Sequence, residues 1–210
     1  MKKAKLAILA SGRGSNAVAI IKATQAEDFP AEVAIVLSDN PDAPVLDKAR
    51  SLGVKAIWLD PGPKRTFLIP EVEAKWIQVL RKHNIDYVLL AGFMRVIKKP
   101  MLDAFAGRIL NIHPALLPSF KGLEAQRQAW EHGVKYSGAT VHFVDASLDG
   151  GPIILQEPVK VADDDTAESL AAHIIEVEHR IYPEAVRLLA EGHLRIDGRR
   201  VKILKEVHGG

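Results

Sequence analysis

The first 114 residues alternate short apolar runs with amphipathic stretches of 10 to 15 residues. Several runs, such as LAILA at 6–10, are apolar at every position, which is typical of strands buried on both faces. Strands of this kind separated by helices predict βαβ units with right-handed crossovers. We therefore predict an α/β fold with an open, mostly parallel, twisted sheet and helices on both faces. The predicted strands are 5–11, 31–39, 55–60, 87–93 and 108–114, and the predicted helices are 15–25, 44–53 and 70–84.

The pattern changes in the second half of the chain. Residues 138–147 alternate apolar and polar side chains, and the segment 151–161 follows a tight Asp-Gly-Gly turn, so antiparallel or mixed strands are expected there. Residues 166–192 carry an apolar side chain every three or four positions and predict a long helix. The tail at about 193–204 predicts a hairpin turning at Asp197-Gly198. No linker or repeat interrupts the chain, and we predict one domain over residues 1–210.

Composition narrows the classes of function. The chain has no cysteine, which excludes disulfides, a thiolate nucleophile and cysteine metal ligands. A net charge of +2 predicts no nucleic-acid partner, and no apolar run approaches the roughly 20 residues of a membrane span. The basic and apolar N-terminus is interpreted as a first buried strand and not as a signal peptide. A cytoplasmic location is expected.

In open α/β sheets, ligands bind beyond the carboxyl ends of the strands, so the residues that follow each strand are candidates for a binding site. The segment SGRGSN at 11–16 joins the first strand to the first helix. Gly12 and Gly14 allow a tight turn, and Ser15 or Asn16 is expected to open the helix, whose N-terminal N–H groups suit a phosphate. A third glycine is missing from the dinucleotide pattern, which favours a single phosphate monoester. An ordinary glycine turn with a Ser or Asn cap is the alternative.

The segment AGFMRVI at 91–97 follows the fourth strand. Phe93, Met94, Val96 and Ile97 predict an apolar wall that also carries Arg95, and such a wall would suit a flat aromatic ligand with an acidic tail. Plain core with one solvated arginine is the alternative.

Three polar side chains form the third candidate cluster. Asn111 and His113 lie two positions apart at a strand end and therefore point to the same side. Asp149 precedes two glycines and could reach across a tight loop, although a turn aspartate is the simpler interpretation. His142 is interpreted as structural. No GxSxG elbow and no HExxH spacing is present. The set therefore suits direct group transfer, with Asn111 and His113 donating to an oxyanion and Asp149 supporting the imidazolium.

Four segments together resemble a known family. SGRGSN, AGFMRV, NIHPALLPSFKG and HFVDASLDGGPIILQ are similar, in order and spacing, to the glycinamide ribonucleotide transformylase (phosphoribosylglycinamide formyltransferase) family of folate-dependent formyltransferases. The similarity runs from residue 5 to about residue 190. It implies a Rossmann-like formyltransferase fold, with a phosphate-binding half at about 1–100 and a folate and catalytic half at about 101–192.

The resemblance also implies a reaction and residue roles. The formyl group of the co-substrate 10-formyltetrahydrofolate would pass to the amine of 5'-phosphoribosylglycinamide in purine synthesis, without a metal. Implied partners are small-molecule substrates, and the chain is expected to be a monomer or homodimer. The implied catalytic residues are Asn111, His113 and Asp149. The implied ribonucleotide-binding residues are Gly14, Ser15, Asn16 and Glu178, and the implied folate-binding residues are Arg65, Met94, Arg95, Val96, Ile97 and Asn111.

This chain departs from the family pattern at Glu124, where histidine is frequent, and over residues 61–72, which include Arg65. Other functions stay open at this point. A methionyl-tRNA formyltransferase would carry a further RNA-binding domain, and a 10-formyltetrahydrofolate hydrolase an extra N-terminal domain; neither is expected here. A non-catalytic sensor of phosphoribosyl ligands would share the phosphate loop without needing His113 and Asp149 to meet.

Overall fold

The computed structural model describes residues 2–204. These residues form nine strands and six helices. The strands are β1 (Ala4–Leu9), β2 (Ala31–Ser38), β3 (Ala56–Trp58), β4 (Tyr87–Leu90), β5 (Ile109–His113), β6 (Tyr136–Phe143), β7 (Ile153–Lys160), β8 (Leu194–Asp197) and β9 (Arg200–Ile203). The helices are α1 (Ser15–Thr24), α2 (Pro44–Ser51), α3 (Pro70–Lys82), α4 (Lys99–Ala104), α5 (Ala125–Glu131) and α6 (Ala167–Ala190).

The strands form a single sheet in the order β3-β2-β1-β4-β5-β6-β7-β9-β8. The neighbours from β3 to β5 pair in parallel. Strand β6 then runs antiparallel to both β5 and β7. Strand β7 pairs with β9 in parallel, so the predicted mostly parallel sheet with antiparallel or mixed strands in its second half is confirmed. The order places β1, β4 and β5 side by side at its centre, so the segments that follow them meet at one edge.

Burial on both faces explains the continuous apolar runs. In β1, Leu6 and Ile8 belong to the core packed under α1, α2 and α6, whereas Ala7 and Leu9 belong to the core under α3 and α4. Each successive residue of the strand points to the opposite face. No position in β1 beyond its first residues can therefore be polar without burying an unpaired group.

Several boundaries differ from the sequence predictions. The strand predicted over 138–147 ends at Phe143, because the Asp145 carboxylate accepts a hydrogen bond from the Ser147 N–H at 2.8 Å and turns the chain. Helices α4 and α5 were not predicted, since six and seven residues are too few for a clear period. The long helix α6 is confirmed and passes through Pro183 without a break. The hairpin of β8 and β9 is confirmed as well.

Helix α6 begins with a side-chain cap. Thr166 and Ser169 form a reciprocal capping box at the start of α6, with bonds of 2.9 and 3.1 Å. Among the described residues, no helix combines the length and the apolarity that crossing a bilayer requires.

Candidate functional site

A cleft with a volume of about 630 Å³ lies at the carboxyl ends of β1, β4 and β5. This is where ligands bind in open α/β sheets. Ten of the predicted site residues line it, whereas Gly14 and Arg65 do not. The ten are Ser15, Asn16, Met94, Arg95, Val96, Ile97, Asn111, His113, Asp149 and Glu178.

The loop after β1 makes the turn that the glycines predicted. Gly14 has φ 72° and is itself the N-cap of α1, which begins at Ser15 as expected; the Ser or Asn cap of the alternative interpretation is not found. A Cβ at Gly14 would lie 2.3 Å from Cγ2 of Val45, and only glycine fits there. Neither neighbouring side chain bonds the helix end. The first N–H groups of α1 are therefore left for other acceptors at this edge of the cleft.

Asn16 and Glu178 meet across 162 residues of sequence at one end of the cleft. Nδ2 of Asn16 donates to Oε2 of Glu178 at 2.8 Å. Burial raises the pKa of Glu178 to about 7, and the bond from Asn16 opposes part of that rise. The other amide atom of Asn16, Oδ1, is buried and has no protein partner. A buried acceptor without a partner marks a position where a ligand donor would be stabilised.

One turn further along α6, Tyr182 fixes the helix to the sheet. Its hydroxyl lies 2.9 Å from the carbonyl oxygen of Leu90 and 3.1 Å from that of Leu110, and its single proton is shared between them. The side chain is fully buried, and burial raises the pKa of Tyr182 well above its usual value. Residues 178 and 182 lie on the same face of a helix. The anchor therefore sets where Glu178 stands relative to β4 and β5.

Asp149 does reach across to the end of β5. Its Oδ2 lies 3.5 Å from Nδ1 of His113 and accepts a hydrogen bond from the Gly122 N–H at 2.8 Å. Nε2 of His113 lies 2.8 Å from the Phe120 carbonyl oxygen, so this nitrogen carries a proton. Asp149 has φ 45°, a left-handed conformation that Asp tolerates better than most residues. Asn111, His113 and Asp149 are thus brought together.

His142 belongs to the same cluster. It lies directly opposite Asn111 in the pairing of β5 with β6. Its Nδ1 donates to the Phe143 carbonyl at 2.8 Å, so its Nε2 accepts from Nδ2 of Asn111 at 3.2 Å. Burial lowers the pKa of His142, which keeps this neutral form. Its Nε2 also lies 3.9 Å from Oδ1 of Asp149. The sequence alone interprets His142 as structural, because its place opposite Asn111 follows only from the register of β5 against β6.

The wall after β4 is apolar at its rim. Met94 is 61% exposed and Val96 is 43% exposed, and both line the cleft with the exposed side chains of Leu123 and Leu148. Arg95 is not the solvated arginine of the alternative interpretation, because its side chain is largely buried in an ion pair. Its Nε donates to Oδ2 of Asp39 at 2.6 Å.

Arg65 and Glu124, which depart from the family pattern, lie at the edge of the cleft or outside it. Arg65 is exposed and lies outside the lining of the cleft. Its neighbour Thr66 does line the cleft, and the Thr66 carbonyl accepts from the Val96 N–H at 2.8 Å. Glu124 lines the mouth with φ 55° as the N-cap of α5. Within residues 2–204, no group of three or more His, Asp or Glu side chains is arranged to hold a metal ion.

The fold and the cleft define a Rossmann-like α/β enzyme with its polar cluster at the carboxyl edge of the sheet. The formyl transferase family model matches residues 4–186. The chain belongs to the formyl transferase family, and phosphoribosylglycinamide formyltransferases are among its relatives over most of its length.

Three relatives illustrate the similarity. Phosphoribosylglycinamide formyltransferase of Bacillus subtilis is 38% identical over 185 residues, which are 88% of this chain and 94% of that protein. The crystal structure of glycinamide ribonucleotide transformylase 1 from Symbiobacterium toebii matches with a TM-score of 0.92 and 51% identity, covering 97% of this chain and 95% of that one. The human trifunctional purine biosynthetic protein adenosine-3 is 41% identical over 93% of this chain, which spans only 19% of that protein.

Proposed function

We propose that the protein transfers a formyl group from 10-formyltetrahydrofolate to the amine of 5'-phosphoribosylglycinamide, giving the formylated ribonucleotide of purine synthesis. The observation that carries this proposal is the meeting of Asn111, His113 and Asp149 in one cleft, with Asn16 and Glu178 at its other end. The names of the full-length relatives support the same reaction.

The ribonucleotide would lie along the start of α1. Backbone N–H groups at Gly14, Ser15 and Asn16 would bind its phosphate, since α1 has no side-chain cap and carries no acidic residue in its first turn. The unpartnered Oδ1 of Asn16 would accept from the ligand. Glu178 would accept from the ribose or the glycinamide, close to the reacting amine.

The donor would lie against the wall after β4. Met94, Val96 and Ile97 supply apolar surface for the pterin and benzoyl rings, and the backbone of residues 94–97 would supply hydrogen bonds to the pterin edge. Asn111 would stand at the far end, where the formyl group has to lie. Arg65 is exposed and lies outside the cleft, so it would contact only a part of the donor that extends beyond the cleft.

The reaction would proceed by direct attack. The unprotonated amine attacks the formyl carbon, and the carbonyl oxygen gains negative charge as the tetrahedral intermediate forms. Nδ2 of Asn111 would donate to that oxygen, and a protonated His113 would donate through Nε2 in place of its bond to the Phe120 carbonyl. Asp149 would stabilise the imidazolium. The attacking nitrogen then loses a proton, N10 of the folate gains one through His113 or water, and the C–N10 bond breaks.

His142 would orient Asn111 in this scheme. Because neutral His142 accepts from one amide hydrogen, the Asn111 side chain keeps its nitrogen toward the cluster and its second hydrogen available for the oxyanion. A protonated His142 could not accept that bond. The lowered pKa of His142 therefore preserves the donor that the reaction needs.

The test is formyl transfer by the purified chain with both substrates. Formylated product that depends on the ribonucleotide, and that is lost in His113→Ala, would support the proposal. Formate release from the donor without the ribonucleotide would instead identify a hydrolase. Tight binding of both ligands without turnover would identify a sensor. The sequence-based expectations of one domain, a cytoplasmic location, a monomer or homodimer, and a reaction without a metal stay predictions.

A further inference from the structure

Arg95 and Asp39 form an ion pair that is shielded from solvent beside the apolar wall. Nε of Arg95 donates to Oδ2 of Asp39 at 2.6 Å, and the two side chains are only 11% and 8% exposed. The guanidinium also donates through Nη1 to the carbonyl oxygen of Lys64. Both bonds run away from the cleft, because Arg95 lines it whereas Asp39 and Lys64 do not.

The backbone around Arg95 is held by further bonds to separate parts of the fold. The Met94 N–H donates to Oγ of Ser11 at 2.9 Å, and the Val96 N–H donates to the Thr66 carbonyl at 2.8 Å. The side chain of Arg95 sits between these two anchors. It joins the wall to the end of β2 through Asp39 and to the segment before Thr66 through Lys64.

We infer that Asp39 and Arg95 are positioning residues, which fix the wall at residues 94–97 in the conformation that binds the formyl donor. This inference rests on the proposed function, since it assigns the donor to that wall. A buried guanidinium that is already paired with a carboxylate has its charge compensated. Arg95 therefore acts through the shape of the wall and not by attracting an acidic tail of the ligand.

Steady-state kinetics of two single variants test the positioning role. Asp39→Ala removes a side chain outside the cleft, and Arg95→Lys keeps the positive charge but cannot bond Asp39 and Lys64 together. Each should raise the KM for the donor at least about 10-fold, the scale of a lost charged hydrogen bond, while kcat and the KM for the ribonucleotide change less than about 2-fold. Asp103→Ala, which breaks an exposed ion pair with Lys99, is the matched control and should change nothing.

A direct contact between Arg95 and the acidic tail of the ligand predicts a different result for Asp39→Ala. If Arg95 bound the ligand's acidic tail, Asp39→Ala would free it and the donor KM would stay constant or fall, which would overturn the inference. Thermal unfolding of each variant shows whether it has folded. If Asp39→Ala does not fold, the comparison of two donors in Arg95→Gln decides between the two results.

A second comparison uses two formyl donors, one with the glutamate tail and one truncated after the benzoyl group. The ratio of their KM values should be the same in wild type and in Arg95→Gln. A ratio that collapses toward one in the variant would overturn the inference. Wild type is measured first: if it neither turns over nor binds the donor, the proposed function fails. If it binds without turnover, the same ratios are taken from Kd values.

Discussion

Oδ2 of Asp149 lies 3.5 Å from Nδ1 of His113, and it is held there by the Gly122 N–H at 2.8 Å. The bond from Gly122 uses one lone pair of this oxygen and leaves another facing the imidazole. The carboxylate is therefore oriented by the backbone before any proton moves. That arrangement suits a group that stabilises charge on His113 and does not itself exchange a proton.

Replacing Asp149 with Asn should lower kcat about 100-fold and change both KM values by a few-fold at most. Asn tolerates the left-handed backbone at this position and can still accept from Gly122, so the loop is expected to keep its shape. Only the negative charge beside the imidazole is lost. Steady-state kinetics with both substrates check this, and a near-normal kcat would remove the proposed role of Asp149.

His113→Ala should lower kcat at least about 100-fold, because it removes both the proton carrier and a donor to the developing oxyanion. His173→Ala is the matched control, since this exposed histidine on α6 lies outside the cleft. Its kcat should equal that of wild type. Rates of the two variants at one pH and at saturating substrates decide the matter, and equal rates would contradict the assignment.

His142→Phe should lower kcat about 10-fold by removing the acceptor that orients Asn111. The phenyl ring keeps the buried position filled with apolar atoms. Asn111→Ala should be more harmful than His142→Phe, and the double variant should be no worse than Asn111→Ala alone. Additive losses in this cycle would show that His142 acts independently of Asn111.

Glu178 makes the stability of the chain depend on pH in a defined direction. Its pKa rises from 4.5 in the unfolded chain to about 7 in the fold, so the folded state binds the proton more tightly. The stabilisation is complete below pH 4.5 and is lost as the pH rises through 7. Between pH 5 and pH 8, wild type should lose about 2 to 3 kcal/mol through this group, on the scale of 1.36 kcal/mol per pKa unit.

Glu178→Gln should abolish that part of the pH dependence, because the amide is neutral at every pH and can still accept from Asn16. Urea unfolding of both proteins at pH 5 and pH 8 measures the difference. The same variant should raise the KM for the ribonucleotide and leave the KM for the donor unchanged. Parallel stability profiles for the two proteins would rule out a raised pKa at this position.

The rate of formyl transfer should fall below neutral pH. The attacking amine must be unprotonated, and α-amino groups titrate near 8. A profile of kcat/KM for the ribonucleotide between pH 5 and pH 9 should therefore rise toward the alkaline side. A rate that climbs steadily into acid would contradict direct attack by the amine.

The sequence was sufficient for the parts of the fold set by local pattern. The continuous apolar runs predicted a sheet buried on both faces, and β1, β4 and β5 are its central strands. The rule that ligands bind at the carboxyl ends of such strands then located the cleft. Asn111 and His113 could be paired from their spacing alone, because side chains two apart in a strand share a side.

What could not be predicted depends on contacts between distant residues. Nothing near Arg95 in the sequence indicates its ion pair with Asp39, which lies 56 residues away. The role of His142 depends on the register of β5 against β6, which the pattern of residues 138–147 leaves undetermined. Position 14, the N-cap of α1, requires glycine because Val45, on another helix, leaves no room for a side chain.

The phenol of Tyr182 has a consequence for how the two reactants meet. Its hydroxyl bridges the backbone of β4 and β5, the strands that lead into the apolar wall and into Asn111, while Glu178 stands one turn away on α6. In the proposed reaction, the Tyr182 hydroxyl would therefore help to position both the attacking amine and the formyl group. Removing the hydroxyl with Tyr182→Phe would take away the one proton that these two carbonyls share, and the expected damage is misalignment of the reacting atoms before any weaker affinity for either ligand.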